Sequence, residues 1–105
     1  MSRMIFIEDR DFEKRRKGLL DDDGLFAFME WLAVHPGAGK IIPGSGGLRK
    51  VRWAAKGHGK RGGARVIYFW WMADGRILLL DIYAKAEQED LAADEIKKLR
   101  RKIMP

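Results

Sequence analysis

The chain has no cysteine, two histidines and three prolines in 105 residues, and no acidic side chain between Glu30 and Asp74. Without cysteine there are no disulfides and no thiolate chemistry. Two histidines 23 positions apart, with no carboxylate pattern beside them, do not have metal-ligand spacing, so neither a metal nor a cofactor is expected. No stretch reaches the roughly 18 consecutive apolar residues that a membrane span needs, and the N-terminus lacks the apolar region of a signal peptide. A cytoplasmic location in a reducing compartment and no membrane partner are therefore expected.

What fills the acid-free gap is positive charge and glycine. Lys40, Arg49, Lys50, Arg52, Lys56, Lys60, Arg61 and Arg65 follow one another without a countercharge, in a chain of net charge +6. Nine of the twelve glycines lie between Gly37 and Gly63, just before an aromatic run. Such a stripe concentrates phosphate groups by counterion release and steers association, so the expected partner is a polyanion. A single domain spanning residues 1–105 is expected, because a chain of this length can bury most of one core without a covalent staple.

Periodicity places the elements. Met4 to Ile7 reads as an edge or first strand, and Asp9 caps a helix running to about Lys17, which Gly18 closes. Asp21, Asp22 and Asp23 open a second helix, in which Leu25, Phe28, Met29 and Leu32 recur at i, i+3, i+4 and i+7. It must end near Val34 or His35, since Pro36 disfavours the α conformation in the residue before it. From Lys40 the period becomes strand-like: Ile41-Ile42, then Leu48 to Ala54, Arg65 to Met72 and Arg76 to Tyr83, the last two joined at Asp74-Gly75. Val66 to Met72 is apolar on both faces, as a central strand would be. Leu91 to Ile103 closes the chain as a helix with Ile96, Leu99 and Ile103 on one stripe. The expected class is α+β: an antiparallel sheet with the N-terminal helices on one face, a C-terminal helix, and the other face left open.

Alternation along a strand puts Lys50 and Arg52 on one face and Val51 and Trp53 on the opposite, core-facing one. Tyr83 and Lys85 likewise share a face, and only the register decides whether it is the same one. The loop from Lys56 to Gly63 contains the letters of a dinucleotide fingerprint at Gly57, Gly59 and Gly62, but no helix follows, and the Lys-Ser/Thr ending of a phosphate-binding P-loop is missing. Cleavage of an RNA phosphodiester needs a base for the 2′-hydroxyl proton, an acid for the leaving oxygen, and cations for the charge that builds in the transition state. Cations are plentiful, and His58, Tyr83 and Lys85 are the candidate proton carriers. Arg49, Lys56, His58, Lys60 and Arg61 are expected to contact the RNA backbone. His35, at a helix end, reads as structural; Trp31 and Trp53 read as core, and at most one of Trp70 and Trp71 can lie on the open face.

Residues 46–54 (GGLRKVRWA), 59–71 (GKRGGARVIYFWW) and 81–91 (DIYAKAEQEDL) resemble, in that order, the RelE/HigB toxins of type II toxin-antitoxin modules, and most closely the HigB-like branch. The resemblance covers nearly the whole chain. It implies a small α+β toxin acting as a metal-independent endoribonuclease, or mRNA interferase, which enters the ribosomal A site, cuts the mRNA there and inhibits translation. It also implies a cognate antitoxin, often a helix-turn-helix DNA-binding protein, that neutralises the toxin and represses the shared operon. RelE-like members use a Lys-x-Lys pair on a strand, an Arg beginning the next strand, and a later Arg and Tyr. Lys50 and Arg52 match the pair, with Arg in place of the second Lys, and Arg65 matches the strand Arg. Lys85-Ala86 stands where the family has Lys-Arg, and no Tyr follows Tyr83, so the resemblance implies that Tyr83 and Lys85 substitute from the strand end. Two alternatives on similar grounds are a ParE-like poison of DNA gyrase, which needs no RNA chemistry, and a non-catalytic RNA or DNA binder. The density of cations argues against the first.

Overall fold

The structure, a computed structural model, describes residues 4–55 and 63–104. The dinucleotide-like letters and Lys56, His58, Lys60 and Arg61 therefore lie outside the described residues. The elements are β1 (Ile5–Glu8), α1 (Arg10–Arg16), α2 (Asp22–Val34), β2 (Lys40–Ile41), β3 (Arg49–Trp53), β4 (Ala64–Trp71), β5 (Arg76–Ala84) and α3 (Ala93–Ile103). A short 3-10 turn at Met72–Asp74 joins β4 to β5, with Gly75 in the left-handed conformation at φ 62°. Both N-terminal helices begin at the expected carboxylates. Asp9 accepts from the Asp11 amide at 3.0 Å and Asp21 from the Gly24 amide at 2.8 Å, each such cap contributing about 1 kcal/mol.

The sheet has the order β1-β5-β4-β3-β2, which makes β4 its central strand. It is antiparallel from β2 to β5, as the hairpin signals require. One edge departs from that expectation: β1 runs parallel to β5, from Ile5 opposite Arg76 to Glu8 opposite Leu79, and the sheet is mixed. The physical reason is the crossover that α1 and α2 provide, since a parallel pair needs a long connection over one face. The Asp9 amide, donating to the Leu79 carbonyl at 2.9 Å, fixes the exit of β1.

Each face has its own core. Phe12, Leu25, Phe28 and Leu32 from the N-terminal helices pack on Val51, Val66, Tyr68, Ile77, Leu79 and Ile82. On the far side Leu99 meets Leu48, Ile67, Leu80 and Tyr83, with Phe69, Leu78 and Ile103 beside them. The far face is therefore not bare, as expected from the sequence, but covered in part by α3. The apolar stripe of that helix has nowhere else to be buried, and each large side chain buried there contributes about 1.5–3 kcal/mol. Among the described residues no helix is long and apolar enough to cross a membrane.

A bulge in the β4–β5 pairing sets the rest. Ile67 pairs with Asp81 and Tyr68 with Leu79, so Leu80 is an extra residue. Before it, Ile77 and Leu79 face α1 and α2; after it, the odd-numbered Tyr83 joins the α3 side. Bulges re-aim side chains in this way. Here the bulge carries Tyr83 to the side of the sheet that holds the cations.

Candidate functional site

Three strands contribute one row. Val51 lies in the α1/α2 core, so Lys50 and Arg52 point to the opposite side. Arg52 pairs with Arg65 across β3 and β4, and Arg65 with Tyr83 across β4 and β5. One step along, Lys40 pairs with Lys50. Directly paired residues have Cβ atoms about 4.5–5.5 Å apart, and like charges so placed oppose folding. Two such pairs lie on one side of the sheet, and a bound anion would offset their repulsion. Ala38, Lys40, Lys50, Val51, Arg52 and Arg65 line a groove of about 410 Å³, whose wall, among the described residues, has four cations and no carboxylate.

Two members of the row are buried. Arg65 is 6% exposed, and its Nη1 donates to the Ala64 carbonyl at 3.3 Å. Tyr83 is 1% exposed, and its hydroxyl has no hydrogen-bond partner among the described residues. Burial, reinforced by the negative charge of Asp90 and only partly offset by Arg65, pushes the Tyr83 phenol up to about 12. At neutral pH it keeps its proton, so it can donate that proton but cannot serve as a base. Lys50 donates from Nζ to Asp90 Oδ1 at 2.5 Å. That hydrogen bond and the charge of Lys50 hold the Asp90 carboxyl below its ordinary value.

Lys85 is exposed just beyond β5, and its amide donates to the Gly63 carbonyl at 3.1 Å. That bond ties the end of β5 to the start of β4, next to the row. Gly63 has φ 53°, and a Cβ there would collide with the Trp53 carbonyl, so both conformation and space require glycine.

Of the residues singled out in the sequence, Lys50, Arg52, Arg65 and Tyr83 come together, with Lys85 at the strand end. Arg49 does not join them. It points to the opposite side, where its Nη1 donates to the Gly37 and Gly39 carbonyls at 3.2 and 2.8 Å and its guanidinium lies 5.9 Å from the Trp70 ring centroid. It braces the turn before β2 rather than facing the groove. His35 caps the end of α2, its amide donating to the Trp31 carbonyl at 3.0 Å, and its ring lies 5.3 Å from that of Trp31. Trp31 and Trp53 pack against the core, and Trp70 lies on the same side. Sequence reasoning missed Lys40 and Asp90 as neighbours of Lys50. The charge run signalled Lys40, but its position depends on a two-residue strand; nothing local signals Asp90, 40 positions away.

No family model matches the chain. In three dimensions it is similar to a free-state structure of the E. coli toxin RelE carrying two arginine-to-alanine substitutions. That match has 11% identity and a TM-score of 0.60 and covers 99% of this chain and 100% of that one. The fold is RelE-like. A chain of the intact E. coli RelBE toxin-antitoxin complex is also similar, with 16% identity and a TM-score of 0.57, covering 78% of this chain and 96% of that one. At such identities the likeness lies in the path of the backbone, and the chemistry rests on the side chains themselves. In this RelE-like sheet the cations gather where β3, β4 and β5 lie side by side, next to the part that α3 covers.

Proposed function

We propose that this chain is the toxin of a type II toxin-antitoxin module and cleaves mRNA on the ribosome, with an antitoxin as its partner. The observation that carries this reading is the groove walled by Lys40, Lys50, Arg52 and Arg65, with buried Tyr83 paired to Arg65 on the next strand. Lys50 and Arg52 would hold the scissile phosphate, and buried Arg65 would stabilise the charge that builds on its non-bridging oxygens. The ribose 2′-oxygen bonds to phosphorus as its proton leaves to water, and the bond from phosphorus to the 5′-oxygen breaks. Tyr83, protonated at neutral pH, donates its proton to that leaving oxygen. The products are a 2′,3′-cyclic phosphate and a 5′-hydroxyl. Lys85 adds a cation at the end of the row. The antitoxin and toxin named for the similar RelBE complex and for RelE support the same reading at the level of fold.

The test is induced expression of the wild type and of a Lys50→Ala, Arg52→Ala double variant, read by growth and by primer extension on cellular mRNA. Wild-type induction should stop growth and produce discrete mRNA breaks, and the double variant should do neither. Equal toxicity of the two, or gyrase-trapped DNA breaks without mRNA cleavage, would discard the proposal.

A further inference from the structure

Asp90 is the carboxylate that reaches the cationic row, and neither the charge run nor the row accounts for it. It lies in the loop between β5 and α3 with its side chain 68% exposed, while that of Lys50 is 31% exposed. The loop is braced from behind. Gln88 Nε2 donates to the Asp90 carbonyl at 3.3 Å, and Glu95 Oε1 accepts from the Ala92 amide at 3.0 Å. Lys40 and Lys50 line a second groove of about 390 Å³, whose other walls include Ile42, Asp90, Leu91 and Ile96. Both cations thus border the two grooves, and Asp90 belongs only to the second. Lys50, Arg65 and Lys85 all act on the Asp90 charge, so its carboxylate sits in the field of the same cations that would grip a phosphate.

We propose that Asp90 is a positioning residue that takes the place of a phosphate on Lys50 and is exchanged for the RNA phosphate on binding, so that it sets the affinity at which Lys50 enters the site. The inference rests on reading this side of the sheet as an RNA site. A carboxylate offers an ammonium the same charge-assisted contact as a phosphate oxygen. The pair is exposed, and exposed ion pairs are weak, so an incoming polyanion can displace it. While Asp90 stays in place it also repels the arriving phosphate. It thereby discriminates against isolated anions and favours a strand that engages Lys40, Arg52 and Arg65 at the same time.

The test is fluorescence anisotropy with a labelled, uncleavable 2′-O-methyl RNA oligomer and purified protein, over a range of salt concentrations. Asp90→Asn should bind about threefold to fivefold more tightly than wild type at low salt, the difference shrinking as salt rises. Glu89→Gln, which removes a charge from the same loop, should bind like wild type. On a Lys50→Ala background the gain from Asp90→Asn should fall well below that on the wild-type background, because the Lys50 contact is gone and only the general repulsion remains. Unchanged or weaker binding by Asp90→Asn, or the same gain on both backgrounds or in Glu89→Gln, would overturn the role assigned to Asp90 while leaving the RNA site intact. If the wild type fails to bind the oligomer even at low salt, the RNA reading falls, and the role of Asp90 falls with it.

Discussion

The two sides of the sheet are built on different terms. On one side α1 and α2 cover an apolar surface from Val51 to Ile82, and Arg49, on that same side, is occupied by carbonyls and the Trp70 ring. On the other, α3 covers part of the sheet, its Leu99 in one cluster with Tyr83, whose phenol has no hydrogen-bond partner among the described residues, and facing pairs of like charges lie beside it. The first side is arranged for stability. The second sets like charges opposite one another at one end, an arrangement that opposes folding.

Three substitutions would break or sharpen that contrast. The largest effect is expected on the covered side: Phe28→Ala removes a side chain with no exposure and should cost about 3–5 kcal/mol, measured by urea denaturation. RNA affinity of the protein that remains folded should not change. If affinity fell in step with stability, the division of labour between the two sides would be wrong.

Tyr83→Phe should separate the two properties on the cationic side. Losing the proton donor should slow cleavage on programmed ribosomes on the order of 100-fold. Deleting a buried hydroxyl that has no hydrogen-bond partner among the described residues should leave the melting temperature at neutral pH unchanged or higher. The folded phenol titrates at about 12, above its ordinary 10.0, so the unfolded chain ionises first. The wild type should therefore lose stability between those two values as pH rises, and the Phe variant should lose less. Parallel alkaline unfolding curves would contradict the burial of this group.

The smallest effect concerns the tie between the helices of the two sides. Lys102 on α3 donates to Asp9 and Asp11 at 2.6 and 2.7 Å. Its own desolvation lowers the Lys102 value, but the bonds to Asp11 and Asp9 outweigh this and raise it above 10.5. The hydrogen bond and charge of Lys102 lower Asp11 below 3.8. The stabilisation is therefore complete between those limits, fades as pH falls below 3.8, and fades again as pH rises past 10.5. Lys102→Met should cost at most about 1 kcal/mol at neutral pH, and the difference from wild type in thermal melts should vanish in acid.

Much of this molecule can be read locally. The spacing of Leu25, Phe28 and Leu32 specifies α2, Asp9 and Asp21 specify the caps, and the sidedness of Lys50 and Arg52 follows from two apolar neighbours. What could not be read depends on contacts between distant segments. The partner of β1 lies about 70 positions away, and a parallel edge leaves no hairpin signal. The burial of the α3 stripe against Ile67 and Leu80 had to be seen to know that the far side was partly covered. The meeting of Tyr83 with Arg65 depends on a single extra residue, which an apolar run such as Ile77 to Leu80 conceals, since every position in it suits either side.

That extra residue gives β5 two phases. In an unbroken strand only positions an even count apart look the same way; here Leu78 and Tyr83, five apart, do so. The half that builds the apolar end and the half that serves the cationic end are offset by one, so each can change its in-and-out pattern without imposing that parity on the other. A strand of nine residues thus behaves as two short, separately addressable segments on one continuous backbone.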